Sequence, residues 1–174
     1  IYRMLYANGV RLEAKAFAMG VRIEHPQALI DSIQYHCRER GEYLPAASYS
    51  LVCQQFGRGV YSFCMCPGGF VVPSSSNNDE IVVNGMSASA RNSKWSNAAI
   101  VVEIRPEDIP EEFVEQAKKL GSKDLAGLLY RTKIEQDAKQ NGKGQAAPAQ
   151  RVTDFIDNKI SVDFNSSISG NLEE

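Results

Sequence analysis

Gly57-Arg58-Gly59-Val60-Tyr61-Ser62-Phe63-Cys64-Met65-Cys66-Pro67-Gly68-Gly69 sets a short strand between two turns. Residues 60–65 are rich in β-branched and aromatic side chains, which suit a pleated, half-buried surface. Gly57-Arg58-Gly59 reads as a hairpin-like turn before the strand. Pro67-Gly68-Gly69 reads as the turn after it. Strand residues two apart point to the same face, so Cys64 and Cys66 are expected to share a face where the backbone turns. Glycine carries no Cβ. Gly68 and Gly69 beside Pro67 therefore leave room for a close approach by a planar ligand, a substrate or another domain.

Working outward, residues 12–24 alternate: Phe17, Met19, Val21 and Ile23 face one way, with Ala16, Ala18, Gly20 and Arg22 opposite, the pattern of a strand. His25-Pro26 starts a helix with the proline in its first turn. Ala28, Leu29, Ile33 and Cys37 give that helix an apolar side, and Gly41 ends it at the latest. Residues 49–56, 70–72, 81–84 and 98–104 read as further short strands, with a polar turn over 74–79. Many short strands with turns between them predict an antiparallel β-sheet or a distorted barrel. After Pro106 the period changes to that of helices. Residues 111–120 form one, capped by Gly121. A longer one runs from Ser122 or Lys123 to about Gln140, with Leu125, Leu128, Leu129 and Ile134 inside. Residues 141–144 are a loop, and Pro148 opens a last helix carrying Val152, Phe155 and Ile156. The expected fold class is α+β: a β-rich part over 10–105, a helical portion over 106–160 and a polar tail over 161–174. Residues 1–9 read as the last turns of a helix closed by Gly9.

At 174 residues and 43% hydrophobic, the chain is long and apolar enough for one domain with a buried core. Its 19 basic and 21 acidic residues nearly cancel and are not clustered, which argues against nucleic acid and membrane surfaces as partners. No apolar run approaches the ~20 residues of a membrane span, and no signal-peptide pattern opens the chain. The four cysteines, Cys37, Cys53, Cys64 and Cys66, are sparse for a disulfide scaffold and read as reduced thiols of a cytoplasmic protein.

Several segments carry a resemblance. They are Gly20-Val21-Arg22-Ile23-Glu24-His25-Pro26-Gln27, the block from Gly57 to Gly69, and Val83-Asn84-Gly85-Met86-Ser87. Arg91, residues 97–101, Pro148-Ala149-Gln150-Arg151 and Asp154-Phe155 complete the set. Together they span most of the chain. They resemble uncharacterised bacterial FAD-dependent dehydrogenases, NAD(P)/FAD-dependent oxidoreductases in which a domain is inserted into a Rossmann-type FAD domain. The resemblance implies that this chain is the inserted middle domain, which covers the flavin and shapes the substrate site. Its implied partners are the FAD-binding domain of the same polypeptide and a small-molecule substrate. Residues 1–9 would then be a residual helix of that FAD domain. The chain has no Gly-x-Gly-x-x-Gly after a strand, so it lacks a phosphate cradle at a helix N-terminus. FAD is accordingly expected in the full-length protein and not in this chain alone.

The candidate site residues each carry a plain and a chemical reading. Cys64 and Cys66 are either small residues packed in a tight turn, or a flavin- or substrate-facing pair whose thiol reacts when its pKa is lowered. A third reading is a zinc site recruiting Cys37, His36 or His25, for which the paired Cys-x-x-Cys spacing is missing; no metal is expected. Arg58 and Arg91 are solvated cations or anchors for an anionic group, with Asn97 as an amide donor beside Arg91. Pro67, Gly68, Gly69, Met86 and Ser87 complete the surface that the resemblance turns toward the flavin, with Gly68 and Gly69 against the cofactor. On that reading Gly68→Val or Gly69→Val impairs turnover more than folding. Trp95 and Tyr61 are packed aromatics or stacking partners for the flavin ring. The alternative class is a non-catalytic binding or interaction module, with zinc as its stabiliser.

Overall fold

The computed structural model describes residues 1–75, 77–142, 146–163, 166 and 172–173. The alternation over 12–24 becomes strand β1 (Phe17–Pro26), which pairs along its whole length with β6 (Trp95–Ile104), Phe17 facing Ile104 and Pro26 facing Trp95. Between them in sequence lie β2 (Val52–Gln55), β3 (Arg58–Cys66), β4 (Gly69–Pro73) and β5 (Val83–Ser87). The main sheet has the order β1-β6-β3-β2 and is antiparallel throughout, while β4 and β5 form a separate two-stranded ribbon. The sheet is open: β1 and β2 are its edges and do not meet. Of the two forms expected, the sheet is therefore realised and the distorted barrel is not.

The turn between β2 and β3 falls one residue earlier than the glycine pattern suggested. Phe56 and Gly57 form it, with φ of 49° and 72°, the doubly left-handed geometry that matches the twist of a two-residue hairpin. Arg58 and Gly59 already belong to β3, opposite Gln55 and Gln54. Helix α1 (Tyr2–Ala7) closes at Gly9 with φ of 76°, and Tyr6 Oη donates to the Gly121 carbonyl at 2.5 Å. Helix α2 (Gln27–Tyr35) begins directly after Pro26 and stops when His36 turns left-handed, well before Gly41.

The helical part starts with α3 (Glu111–Lys119), whose acidic first turn and basic last turn both complement the helix dipole. Ser122 then accepts from the Asp124 amide at 3.2 Å and caps a 3₁₀ turn that leads into α4 (Ala126–Asn141). Ile109, Phe113, Ala117, Leu125 and Ala126 are buried together, and Phe17 and Ile104 of the sheet pack on them. The Phe113 and Tyr130 rings meet edge to face at 5.4 Å. One end of one sheet face is thus covered by the α3–α4 pair. Pro148 lies in a two-residue strand, β7 (Ala147–Pro148), parallel to β8 (Leu172–Glu173), and α5 (Val152–Ile156) follows. Asp154 Oδ2 accepts from Ser161 Oγ at 2.7 Å and from Arg151 Nε at 2.5 Å, closing the turn after α5. Residues 143–144 of the expected 141–144 loop and most of the expected tail lie outside the described residues.

Candidate functional site

The end of β3 breaks the alternation expected of it. Phe63 pairs with Ala99 and Cys66 with Asn97, which leaves two residues of β3 between the pairs against one of β6. One residue is therefore extra, a β-bulge, and Cys64 takes a left-handed φ of 50°. The expectation that Cys64 and Cys66 share a face is corrected by this bulge: Cys64 is exposed and Cys66 is buried. Burial, and then the nearby charge of Cys64, push the Cys66 thiol pKa up.

Arg22 holds the bulge in place. Its Nη1 donates to Asn97 Oδ1 at 2.7 Å and to the Cys64 carbonyl at 3.2 Å, and its Nη2 donates to Asn84 Oδ1 at 3.2 Å. One guanidinium thus joins β1, β6, the bulge and β5. Asn97 is completely buried, and its Nδ2 has no hydrogen-bond partner among the described residues. It is a buried amide beneath the ribbon, bonded through Oδ1 to Arg22. Gly85 lies directly above this group. A Cβ there would overlap Asn97 Oδ1 and Arg22 Nη1 and come within 2.8 Å of Cys66 Sγ.

A second polar hub fixes the Pro67-Gly68 turn. Gln27, buried at the start of α2, accepts from the Gly68 amide at 2.6 Å and donates to Asp31 Oδ1 at 2.7 Å and the Ala47 carbonyl at 3.0 Å. Asp31 also accepts from the Ala47 amide at 2.8 Å and pairs with Arg40 at 3.0 Å. Composition gave no sign of these roles. Arg22 was visible as the one charged residue in a strand face of small ones, and Gln27 as the polar residue opening α2.

Pro67, Gly68 and Gly69 are buried, and the close approach they allow is made by the chain itself. Gly68 has φ of 53°, and a Cβ on it would overlap the Arg91 carbonyl. A Cβ on Gly69 would overlap the Met86 carbonyl and lie 2.9 Å from Ser87 Oγ. Ser87 Oγ donates to the Pro67 carbonyl at 2.8 Å, and the Ser93 amide to that of Gly68 at 3.3 Å. The expectation that both glycines lie open for a cofactor is corrected accordingly: the segment 86–93 occupies that space.

The outer side of the same segment is open. Residues 40–46 and 87–91 face each other across a cleft of about 660 Å³, with Arg40, Tyr43, Leu44, Ser87 and Arg91 among its walls. Arg91 is exposed and left-handed, with φ of 46°. Such strain in a residue that is neither Gly nor Asn is held in place only by its surroundings. On the ribbon, Phe70 and Met86 are cross-strand partners on the outer face, and both are exposed, Met86 by 57%. Ser87 and Arg91 therefore line the same cleft, and Met86 precedes them in the chain on the ribbon.

The other candidates lie elsewhere. Arg58 forks onto the Asp108 carboxylate and also donates to the Glu103 carbonyl at 3.1 Å, tying β3 to the turn before α3. That pairing holds the Asp108 carboxyl below its usual pKa. His25 Nε2 and Tyr49 Oη are 2.9 Å apart, and burial lowers the His25 pKa and raises that of Tyr49. Trp95 carries the Lys94 ammonium 5.4 Å from its ring centre. Among the described residues, no three His, Cys, Asp or Glu side chains converge as metal ligands, and no helix is long and apolar enough to cross a membrane.

An open antiparallel sheet, a ribbon laid over one end of it, a helical pair over the other and a cleft beside the ribbon define an α+β domain with a ligand-sized surface recess. The chain belongs to the family described as FAD-dependent protein, C-terminal domain-like, whose family model matches residues 16–173. It is 43% identical over 170 residues to an uncharacterized protein of Clostridium beijerinckii. That alignment covers 96% of this chain and 30% of the relative, so the chain spans less than a third of the relative's length.

Proposed function

We propose that this domain is the substrate-facing cap of an FAD-dependent oxidoreductase of the dehydrogenase type. It covers the flavin and shapes the substrate site, while FAD is held by another domain of the same polypeptide into which this one is inserted. The observation that carries the reading is the exposed Phe70–Met86 pair beside the Arg91 cleft: an apolar pair next to a cleft that holds an arginine of left-handed backbone, in a chain of an FAD-dependent family. The cleft itself is walled mostly by polar groups, Arg40, Glu42, Ser87, Ser89 and Arg91 among them, and suits a small polar molecule, with the apolar pair at its side. Arg91 supplies the anchor for a carboxylate or phosphate. The flavin supplies the hydride chemistry, and the domain excludes water and orients the substrate.

The residues of this chain do not fit the diphosphate of FAD. The amide of Gln27, at the N-terminus of α2, is bonded to the Lys94 carbonyl at 2.8 Å, and the Gly68 amide to Gln27. The Gln27 and Gly68 amides are therefore already used. The near-neutral charge and the four free cysteines suit a cytoplasmic protein with neither nucleic acid nor membrane as partner.

The test is the access of iodide to the flavin of the full-length protein. Met86→Asp leaves the core intact, because the side chain is on the outer face. It is expected to raise iodide quenching of flavin fluorescence severalfold at unchanged flavin content, by letting water and ions under the cap. Quenching equal to that of the unaltered protein would show that this face does not cover the flavin.

A further inference from the structure

Cys64 and Cys66 are a pair of sulfurs that the cap role leaves unused. Cys64 is exposed on a left-handed bulge residue, and Cys66 is buried directly beneath it. Cys66 Sγ turns back on its neighbour and lies 3.4 Å from the Cys64 carbonyl, which Arg22 Nη1 holds from the other side at 3.2 Å. The bulge gives the two side chains different exposure, yet the Cys64 and Cys66 thiols stay within hydrogen-bonding reach of each other, and residues two apart along a chain hold their Cα atoms within or close to the ~4.4–6.8 Å that a disulfide spans. The two thiols already feel each other, since the charge of Cys64 is one of the causes that raise the Cys66 pKa, while the nearby Arg22 and the Ser87 hydroxyl lower it.

We propose that Cys64 and Cys66 form a thiol–disulfide switch, with Cys64 oxidised at the surface by a hydroperoxide and Cys66 closing the disulfide from below. The Cys64 thiolate attacks one peroxide oxygen, the O–O bond breaks, and the departing hydroxide takes a proton to become water. Cys64 is then a sulfenic acid. The Cys66 thiol gives up its proton as it attacks that sulfur, the S–S bond forms, the S–O bond breaks, and the departing hydroxide takes that proton and leaves as a second water. Two thiols and one hydrogen peroxide give one disulfide and two waters. Two equivalents of a small thiol reverse the change. Closing the bond withdraws Cys66 from the Cys64 carbonyl and moves Pro67, whose carbonyl holds Ser87 at the rim of the Arg91 cleft. The redox state of the pair is thereby coupled to the shape of the cleft. This switch belongs to the domain itself and does not depend on the cap reading.

Treatment of the 174-residue chain with hydrogen peroxide, alkylation of the remaining thiols and tryptic digestion tests it. Both cysteines fall in the single tryptic peptide 59–91. That peptide is expected to lose the mass of two hydrogens, to take up no alkyl group, and to recover both thiols with dithiothreitol. Cys37 and Cys53 serve as the reference thiols. In Cys66→Ser, a sulfenic acid should persist at Cys64 and be trapped by dimedone. A peptide with Cys64 carried on to sulfinic acid and Cys66 still free would overturn the proposal. So would both thiols remaining free while exposed Cys53 is oxidised, or Cys64 bridging two chains.

Discussion

Gly68→Val is expected to abolish stable folding of the domain. Gly68 sits at φ of 53°, where a β-branched residue is strained, and any Cβ there overlaps the backbone carbonyl of Arg91. The strain costs about 1–3 kcal/mol and the overlap about 1–3 kcal/mol more. The neighbouring atom is main chain, held through the Ser93 amide to the Gly68 carbonyl, and cannot swing aside. A total of roughly 2–6 kcal/mol is a large part of the ~5–15 kcal/mol that keeps a domain folded. Urea denaturation should place the midpoint far below that of the unaltered chain, or show no native baseline. A midpoint within error of the original would mean that the 86–93 segment does not pack on this turn. Phe70→Ser, on the outer face of the ribbon, is the control that should leave the midpoint nearly unmoved.

Gln27→Ala should cost about 3 kcal/mol, since removal of this one buried amide orphans the Gly68 N–H and the Ala47 carbonyl, at about 1–3 kcal/mol each. Gln27→Glu separates the charge from the shape. Its carboxylate still accepts from Gly68 but faces Asp31, whose Oδ1 now receives the Gln27 amide at 2.7 Å. Burial and the like charge would raise the folded-state pKa of the new glutamate above its unfolded value. Relative to the unaltered chain, the variant should be weakest near neutral pH and regain stability as pH falls through that raised pKa, where the neutral acid donates to Asp31. Parallel urea melts at pH 7 and pH 5 read this directly. Equal losses at both would show that the Gln27–Asp31 contact contributes nothing.

The main strands were legible because their period is local. Phe17, Met19, Val21 and Ile23 alternate, and the same residues pair with Ile104, Val102, Ile100 and Ala98. The α3 and α4 helices were legible for the same reason, with Gly121 at the break between them. The bulge was not. Nothing within residues 60–66 says that one residue is extra; the register is set by Arg22 reaching across from β1 and by Asn97 on β6. The glycine turn was read correctly as a place of close approach, but a sequence cannot say which chain approaches. Here it is the same chain, at Arg91 and Met86. Arg58 was misplaced because its partner, Asp108, is 50 residues away along the chain. Ser87 and Arg91, four residues apart in sequence, line one cleft, and Met86 precedes them on the outer face of the ribbon.

Hydrogen–deuterium exchange shows whether the ribbon lies over the flavin when this 174-residue chain is compared with the full-length polypeptide, each with and without FAD. If the domain caps a flavin held elsewhere, FAD leaves exchange in the isolated chain unchanged. In the full-length protein, FAD should instead slow exchange over residues 69–72 and 86–91, the outer face of the ribbon and the rim of the Arg91 cleft. FAD-dependent protection within the isolated chain, or protection in the full-length protein confined to the α3–α4 pair, would contradict the account.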